Sequence, residues 1–144
     1  MASEYKPNFV GRTITASTTL AKSDVGSTIV LSAAAGLTVT LPPATGSFSK
    51  YRCVVATTVT SNSYKIQVTT TDVMMGTVDV ASDIAGVTCP TTSTSDTVTM
   101  NGSTTGGILG SWVEFEDIAS GKWAVKGGLV SSSAEATPFS AAVS

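Results

Sequence analysis

The chain has 144 residues and a mass of 14.5 kDa, enough for one core and too short for two. Charged residues make up 12%, and eight basic against ten acidic side chains leave a net charge of -2, so the basic excess of a nucleic-acid or anionic-membrane binder is missing. Histidine is absent, which removes the usual general base, the commonest metal ligand and every Ser-His or Cys-His mechanism. The expectation is a non-enzyme without a cofactor. With 24 Thr, 20 Ser and 17 Val, the composition suits pleated sheet rather than helix.

The hydrophobic pattern alternates with period two, and no stretch of a dozen residues carries the spacing of an amphipathic helix. This predicts an all-β, single-domain antiparallel β-sandwich or barrel-like fold, with an N-terminal arm over residues 1–12, the domain over 13–128 and a loose C-terminal tail over 129–144. In TITASTTL, Ile14, Ala16, Thr18 and Leu20 point one way, and KSDVG turns the chain into STIVLSA, with Asp24 able to close that turn. Gly36 opens LTVTLPP, where Leu37, Val39 and Leu41 face inward and Thr38 and Thr40 outward until Pro42-Pro43 ends the strand. YRCVVA is nearly all apolar and reads as a central strand covered on both faces.

In SYKIQVTT, Tyr64, Ile66 and Val68 share a face. The irregular stretch that follows reads as a short hairpin around Gly76 and a long loop through TCPTTSTS. After DTVTMN and the glycine-rich GSTTGGILG, the segment SWVEFEDIASGKWAVKGG forms two strands around Ala119-Ser120-Gly121. The register sets Glu116 opposite Ala124 and Glu114 opposite Lys126, with Val113, Phe115, Trp123 and Val125 on the other face. The remaining tail is small, polar and aperiodic, so it is either disordered or ordered only against a partner. The N-terminus has no signal-peptide stretch and no window reaches a membrane span, so Cys53 and Cys89 are read as free thiols.

The order ITASTTL, SDVGSTIVLSAAAGLTVTLPPATG, YRCVVATTVTSNSYKIQV and GSWVEFEDIASGKWAV resembles the capsid decoration, or cement, proteins of tailed bacteriophages over about residues 13 to 127. The most specific piece is the segment from Val30 to Gly46; the closing hairpin is the second. The resemblance implies a sandwich-like or tulip-shaped protomer, made in the host cytoplasm, that sits on the outer surface of the virion head. There it works as a homotrimer bound to the major capsid protein, with no nucleic acid and no membrane as partner.

Other motifs have plainer readings. Ser47-Phe48-Ser49-Lys50 spells SxxK, but it follows Pro-Pro and precedes a strand, so it reads as a surface loop. Glu114 and Glu116 share a strand face, which opposite Lys126 is a solvated sheet surface. Asp72, Asp79, Asp83 and Asp96 offer oxygens, but at no calcium-loop spacing, and Asn101-Gly102-Ser103 reads as a turn. For the capsid or subunit interface the candidates are Tyr5, Lys6, Phe9 and Arg12, apolar anchors with basic neighbours ahead of the sheet, and Trp112, expected exposed on the outer face of its hairpin. In the competing reading, Phe9 and Val10 begin the first strand and pack inside. A receptor- or glycan-binding module of a phage fibre is the alternative function.

Overall fold

Alternating aliphatic and hydroxylic residues write most of this chain into short strands, each with one face to bury. The computed structural model describes residues 11–143. These form β1 (Gly11–Ile14), β2 (Thr18–Thr19), β3 (Thr28–Leu31), β4 (Leu37–Thr40), β5 (Lys50–Val55), β6 (Tyr64–Gln67), β7 (Val73–Ala81), β8 (Gly86–Pro90), β9 (Thr97–Met100), β10 (Trp112–Ala119), β11 (Lys122–Val130) and β12 (Phe139–Ser140). They make a seven-stranded sheet, β1-β3-β5-β10-β11-β7-β8, and a five-stranded sheet, β12-β9-β6-β4-β2, packed as a sandwich around one core. The all-β, single-domain expectation therefore holds.

The antiparallel part of that expectation does not. From β1 to β6 the chain changes sheet at every connection, so β1, β3 and β5 pair in parallel in one sheet while β2, β4 and β6 pair in parallel in the other. The first half of the molecule is thus three stacked coils, each contributing one strand to each layer. The second half closes them with antiparallel pairs, except that β11 runs parallel to β7. A period-two pattern specifies which face is buried but not strand direction, and so it is silent on this choice. Gly36 shows how closely the coils approach: its φ is +79°, and a Cβ there would lie 2.4 Å from the Ser63 carbonyl oxygen of the next coil.

Local corrections follow from the same topology. TITASTTL breaks into β1 and β2 in different sheets, burying Ile14 and Leu20 while Ala16 stays exposed. β5 is internal, but only one of its faces is covered: Tyr51, Cys53 and Val55 are buried and Arg52 is exposed. Gly76 is no turn. It lies inside β7, where Val125 O comes so close that no Cβ would fit, and the hairpin turns instead at residues 82–85. Leu37, Val39, Leu41, Tyr64, Ile66 and Val68 are all buried as expected, and the β10–β11 register agrees residue for residue, with a bulge between Asp117 and Ala119.

The tail is not loose. β11 continues to Val130, and the chain then crosses the open end of the sandwich to add β12 beside β9, burying Phe139. The Ala142 and Val143 amides donate to the Asp96 carboxylate, so a residue far upstream holds the end of the described chain. Sequence periodicity misses this because two paired residues are too few to show alternation.

The largest buried side chain is Trp123, 1% exposed, whose ring meets Tyr51 edge-on with centroids 5.8 Å apart. Its indole N–H has no hydrogen-bond partner, so the residue contributes through packing alone. Trp123→Ala should therefore cost about 3–5 kcal/mol in urea or thermal unfolding, and Trp123→Phe, which removes no satisfied polar group, clearly less. An unchanged midpoint for the alanine variant would contradict this packing.

Candidate functional site

At one end of the sandwich the chain crosses from β4 back to β5 through residues 41–49, and buried carboxylates tie this connection down. Alternation along β10 puts Val113 and Phe115 in the core and sends Asp117, two residues on, to the same inner side, where it is 2% exposed. A buried carboxylate must collect donors. Asp117 takes the amides of Thr45 (2.9 Å), Gly46 (2.7 Å) and Ser47 (3.2 Å) and the Ser47 hydroxyl (2.8 Å). The amide before these, Ala44, donates to buried Asp72 at 2.8 Å. Four consecutive N–H groups thus point at two carboxylates.

The backbone locks the same segment: Phe48 N–H donates to Asp117 O and Asp117 N–H to Ser49 O, both at 2.9 Å. Phe48 is held at φ 60°, a left-handed conformation that a side-chain-bearing residue adopts at a cost of about 1–2 kcal/mol, and its ring is 67% exposed. Val25 and Ile118 are the other large apolar side chains uncovered at this end. Beside the loop lies a cleft of ≈ 300 Å³ walled by Val25, Pro42, Pro43 and Tyr51, with Lys22, Thr45, Ser47, Ser49 and Asp117 also lining it.

Electrostatics matches the geometry. Burial alone would raise the carboxyl pKa of Asp117, but the Thr45 and Gly46 amides and the Ser47 hydroxyl and amide outweigh it and hold the group below its usual value. An ionised, saturated carboxylate of this kind fixes a loop. The Ser47 hydroxyl is one of its donors, and Lys50 begins β5 instead of lying a helical turn away.

Of the predicted interface residues, Tyr5, Lys6 and Phe9 lie outside the described residues, as does Val10. Arg12 is in β1 and pairs with buried Asp24 at 3.1 Å, while Asp24 also accepts the Ala21 amide at 2.9 Å, so this cation braces the first coil. Trp112 is on the outer face of β10 as expected, but half-buried instead of exposed. The Arg52 guanidinium sits over its ring at 5.1 Å from the centroid, and Gly128 abuts its indole nitrogen, where a Cβ would come within 2.8 Å. Arg12 and Trp112 are not brought together, because β3 and β5 separate their strands.

The remaining polar motifs serve local structure. Glu114 meets Lys126 at 3.7 Å across the outer sheet face. The four aspartates weighed as oxygen ligands are dispersed: Asp72 and Asp96 hold main-chain amides, Asp79 accepts the Thr88 hydroxyl at 2.6 Å, and Asp83 is exposed in the β7–β8 turn. The Asn101 carboxamide oxygen accepts the amides of Ser103, Thr104 and Thr105, which makes the glycine-rich connection a built turn. Cys53 and Cys89 are both free and buried; burial pushes the Cys53 thiol up to about 12, so it is not a thiolate at neutral pH. Among the described residues no group of three or more acidic or cysteine side chains is placed to hold a metal. The chain matches no protein-family model, no curated protein and no solved structure.

The clamp makes two predictions. Asp117→Ala strands three inward-facing amides and should lower stability by about 3 kcal/mol in chemical unfolding. Because the Asp117 carboxyl is more acidic folded than unfolded, the unfolded chain takes up the proton first as pH falls. Its contribution is complete above the ordinary carboxylate pKa of about 3.9 and is lost below it, down through the lower folded value. Melting temperature followed from pH 6 into acid should therefore fall less steeply in Asp117→Asn than in the wild type; equal slopes would show that this carboxylate carries no such linkage.

Proposed function

We propose that this protein is a capsid decoration protein. It binds the outer surface of a phage head as a homotrimer and strengthens the shell by bridging major capsid subunits, without catalysis. The observation that carries the reading is the clamped loop end: four amides fixed on two carboxylates present uncovered apolar side chains, among them Phe48 in a strained backbone, on a surface that cannot relax. Strain of this kind persists where the surroundings over-determine it and is a feature of functional surfaces. A rigid surface loses little entropy on docking. The carboxylates at this end are consumed by the main chain, which supports binding over chemistry. The resemblance of residues 13 to 127 to the decoration proteins supports the same reading.

The mechanism is area and cross-linking. A trimer that touches several capsid subunits gains effective concentration from each attachment, so contacts of modest strength add to durable binding. The first contact is assigned to the N-terminal segment, with Tyr5 and Phe9 as apolar anchors and Lys6 as the cation for an acidic shell exterior. The fibre-module alternative wants an open aromatic platform, and Trp112, with Arg52 over its ring, is a poor one.

Sedimentation of the protein with filled heads tests the reading. Binding in many copies per particle, as a trimer by light scattering, is the expected result; a few copies per particle would indicate a fibre, and none would end the proposal. Deleting residues 1–8 should leave the melting temperature nearly unchanged and abolish head binding. Saturation of heads by the truncated protein would move the contact elsewhere.

A further inference from the structure

Asn101-Gly102 is the one Asn-Gly step in the sequence, and the proposed function leaves it unused. Asparagine before glycine is the pair most prone to ring closure in a flexible chain, because no side chain on the second residue hinders its amide nitrogen from reaching the carboxamide carbon of the first. Two separate structural demands place the pair here. Asn101 Oδ1 accepts the amides of Ser103 (2.9 Å), Thr104 (2.8 Å) and Thr105 (3.2 Å), which calls for a short side chain with an acceptor. Gly102 has a φ of +81°, and a Cβ there would lie 2.2 Å from the Val59 carbonyl oxygen, which calls for glycine.

The same geometry holds the pair unreactive. Ring closure needs a free Gly102 nitrogen and a carboxamide that can turn to meet it. Instead the Gly102 N–H donates to Gly106 O at 2.7 Å, Asn101 Nδ2 donates to Thr104 Oγ1 at 2.8 Å, and the Asn101 N–H donates to Thr105 Oγ1 at 3.0 Å. Asn101 itself is exposed, so water reaches it. The loop also carries the C-terminal crossing: Ser103 O and Thr104 O accept the amides of Ser132 and Ala136, both at 2.9 Å, and the Ser103 and Ser133 hydroxyls are 2.9 Å apart. These bonds open the path that delivers Phe139 to the core beside β9.

We propose that Asn101 is a covalent modification site, silent while this loop is closed and reactive when it opens, and that its isoaspartyl product releases the C-terminal crossing. In the reaction the Gly102 nitrogen gives its proton to solvent and bonds to Asn101 Cγ; the Cγ–Nδ2 bond breaks and the side-chain nitrogen leaves as ammonia. Water then opens the cyclic imide at one of its two carbonyls. Attack at Cγ restores the main chain with aspartate at this position, and a carboxylate still accepts all three amides. Attack at the main-chain carbonyl leaves the chain running through the side-chain carbons as isoaspartate. The backbone is then longer by a methylene and the cap on the three amides is gone, so Ser103 O and Thr104 O no longer stand where Ser132 and Ala136 reach them.

Ageing the full chain at mildly alkaline pH, folded and in urea, tests this, with isoaspartate at residue 101 read by peptide mapping. The folded chain should form it at least about tenfold more slowly than the unfolded one, since the reaction then proceeds only from the open loop. Thr104→Val and Thr105→Val each remove one acceptor and should raise the folded rate about two- to tenfold, the gain in open loop that one lost hydrogen bond supplies. Equal rates in folded and unfolded wild type, no isoaspartate in either, or unchanged rates in both threonine variants would overturn the site. For the product, the isoaspartyl chain refolded from urea is compared by hydrogen exchange with Asn101→Asp taken through the same treatment. The Ser132 and Ala136 amides should exchange at least about tenfold faster in the isoaspartyl chain, while β5 and β10 stay protected in both. Slow exchange of those two amides, or loss of protection throughout β5 and β10 as well, would overturn the release.

Discussion

The convergence of four successive amides, residues 44–47, on the carboxylates of Asp72 and Asp117 is the constraint around which this end of the molecule is built. The connection from β4 to β5 has to leave one sheet, pass the β10–β11 turn and enter the other sheet within nine residues. A short crossing at a sandwich end turns its N–H groups toward the interior, where unpaired donors cost more than the bonds they would make in water. Two carboxylates, Asp72 and Asp117, answer all four donors at once. For Asp117, burial disfavours the charge, but bonds to the charged form outweigh that cost, and its lowered pKa records the balance.

The same device recurs where the chain changes layers. Asp24 closes the passage from β2 to β3 by accepting the Ala21 amide and the Arg12 guanidinium, and Asp96 holds the last described residues beside β9. Four of the six aspartates in the chain are thereby buried on main-chain amides or an arginine. A sequence poor in charge thus spends most of its aspartates inside.

Much of this was legible in the sequence wherever side-chain alternation lasted four residues or more. Leu37-Val39-Leu41 and Tyr64-Ile66-Val68 bury as their spacing says, and the pairing of Glu114 with Lys126 follows from turn length alone. Parallel coiling was not legible, since β1 to β6 would alternate identically in an antiparallel meander. Gly76 misled because a glycine required by the close approach of Val125 looks like one required by a turn. The tail's strand is too short to register. Asp117 left a usable signal, for the period that buries Val113 and Phe115 also buries it, and an acid on a core-facing position asks for donors; Asp96, two before Val98 at the head of DTVTMN, left the same signal, and Asp72, outside any periodic segment, left none.

Hydrogen exchange at the amides of residues 44–47 tests the central constraint most directly. If the two carboxylates fix this crossing, these loop amides exchange as slowly as the strand amides of β5 and β10. In Asp117→Asn, those of Thr45, Gly46 and Ser47 then speed up while Ala44, held by Asp72, stays protected. Fast exchange of all four in the wild-type protein would contradict the account, because the loop end would then be open to water and the surface it presents would not be fixed.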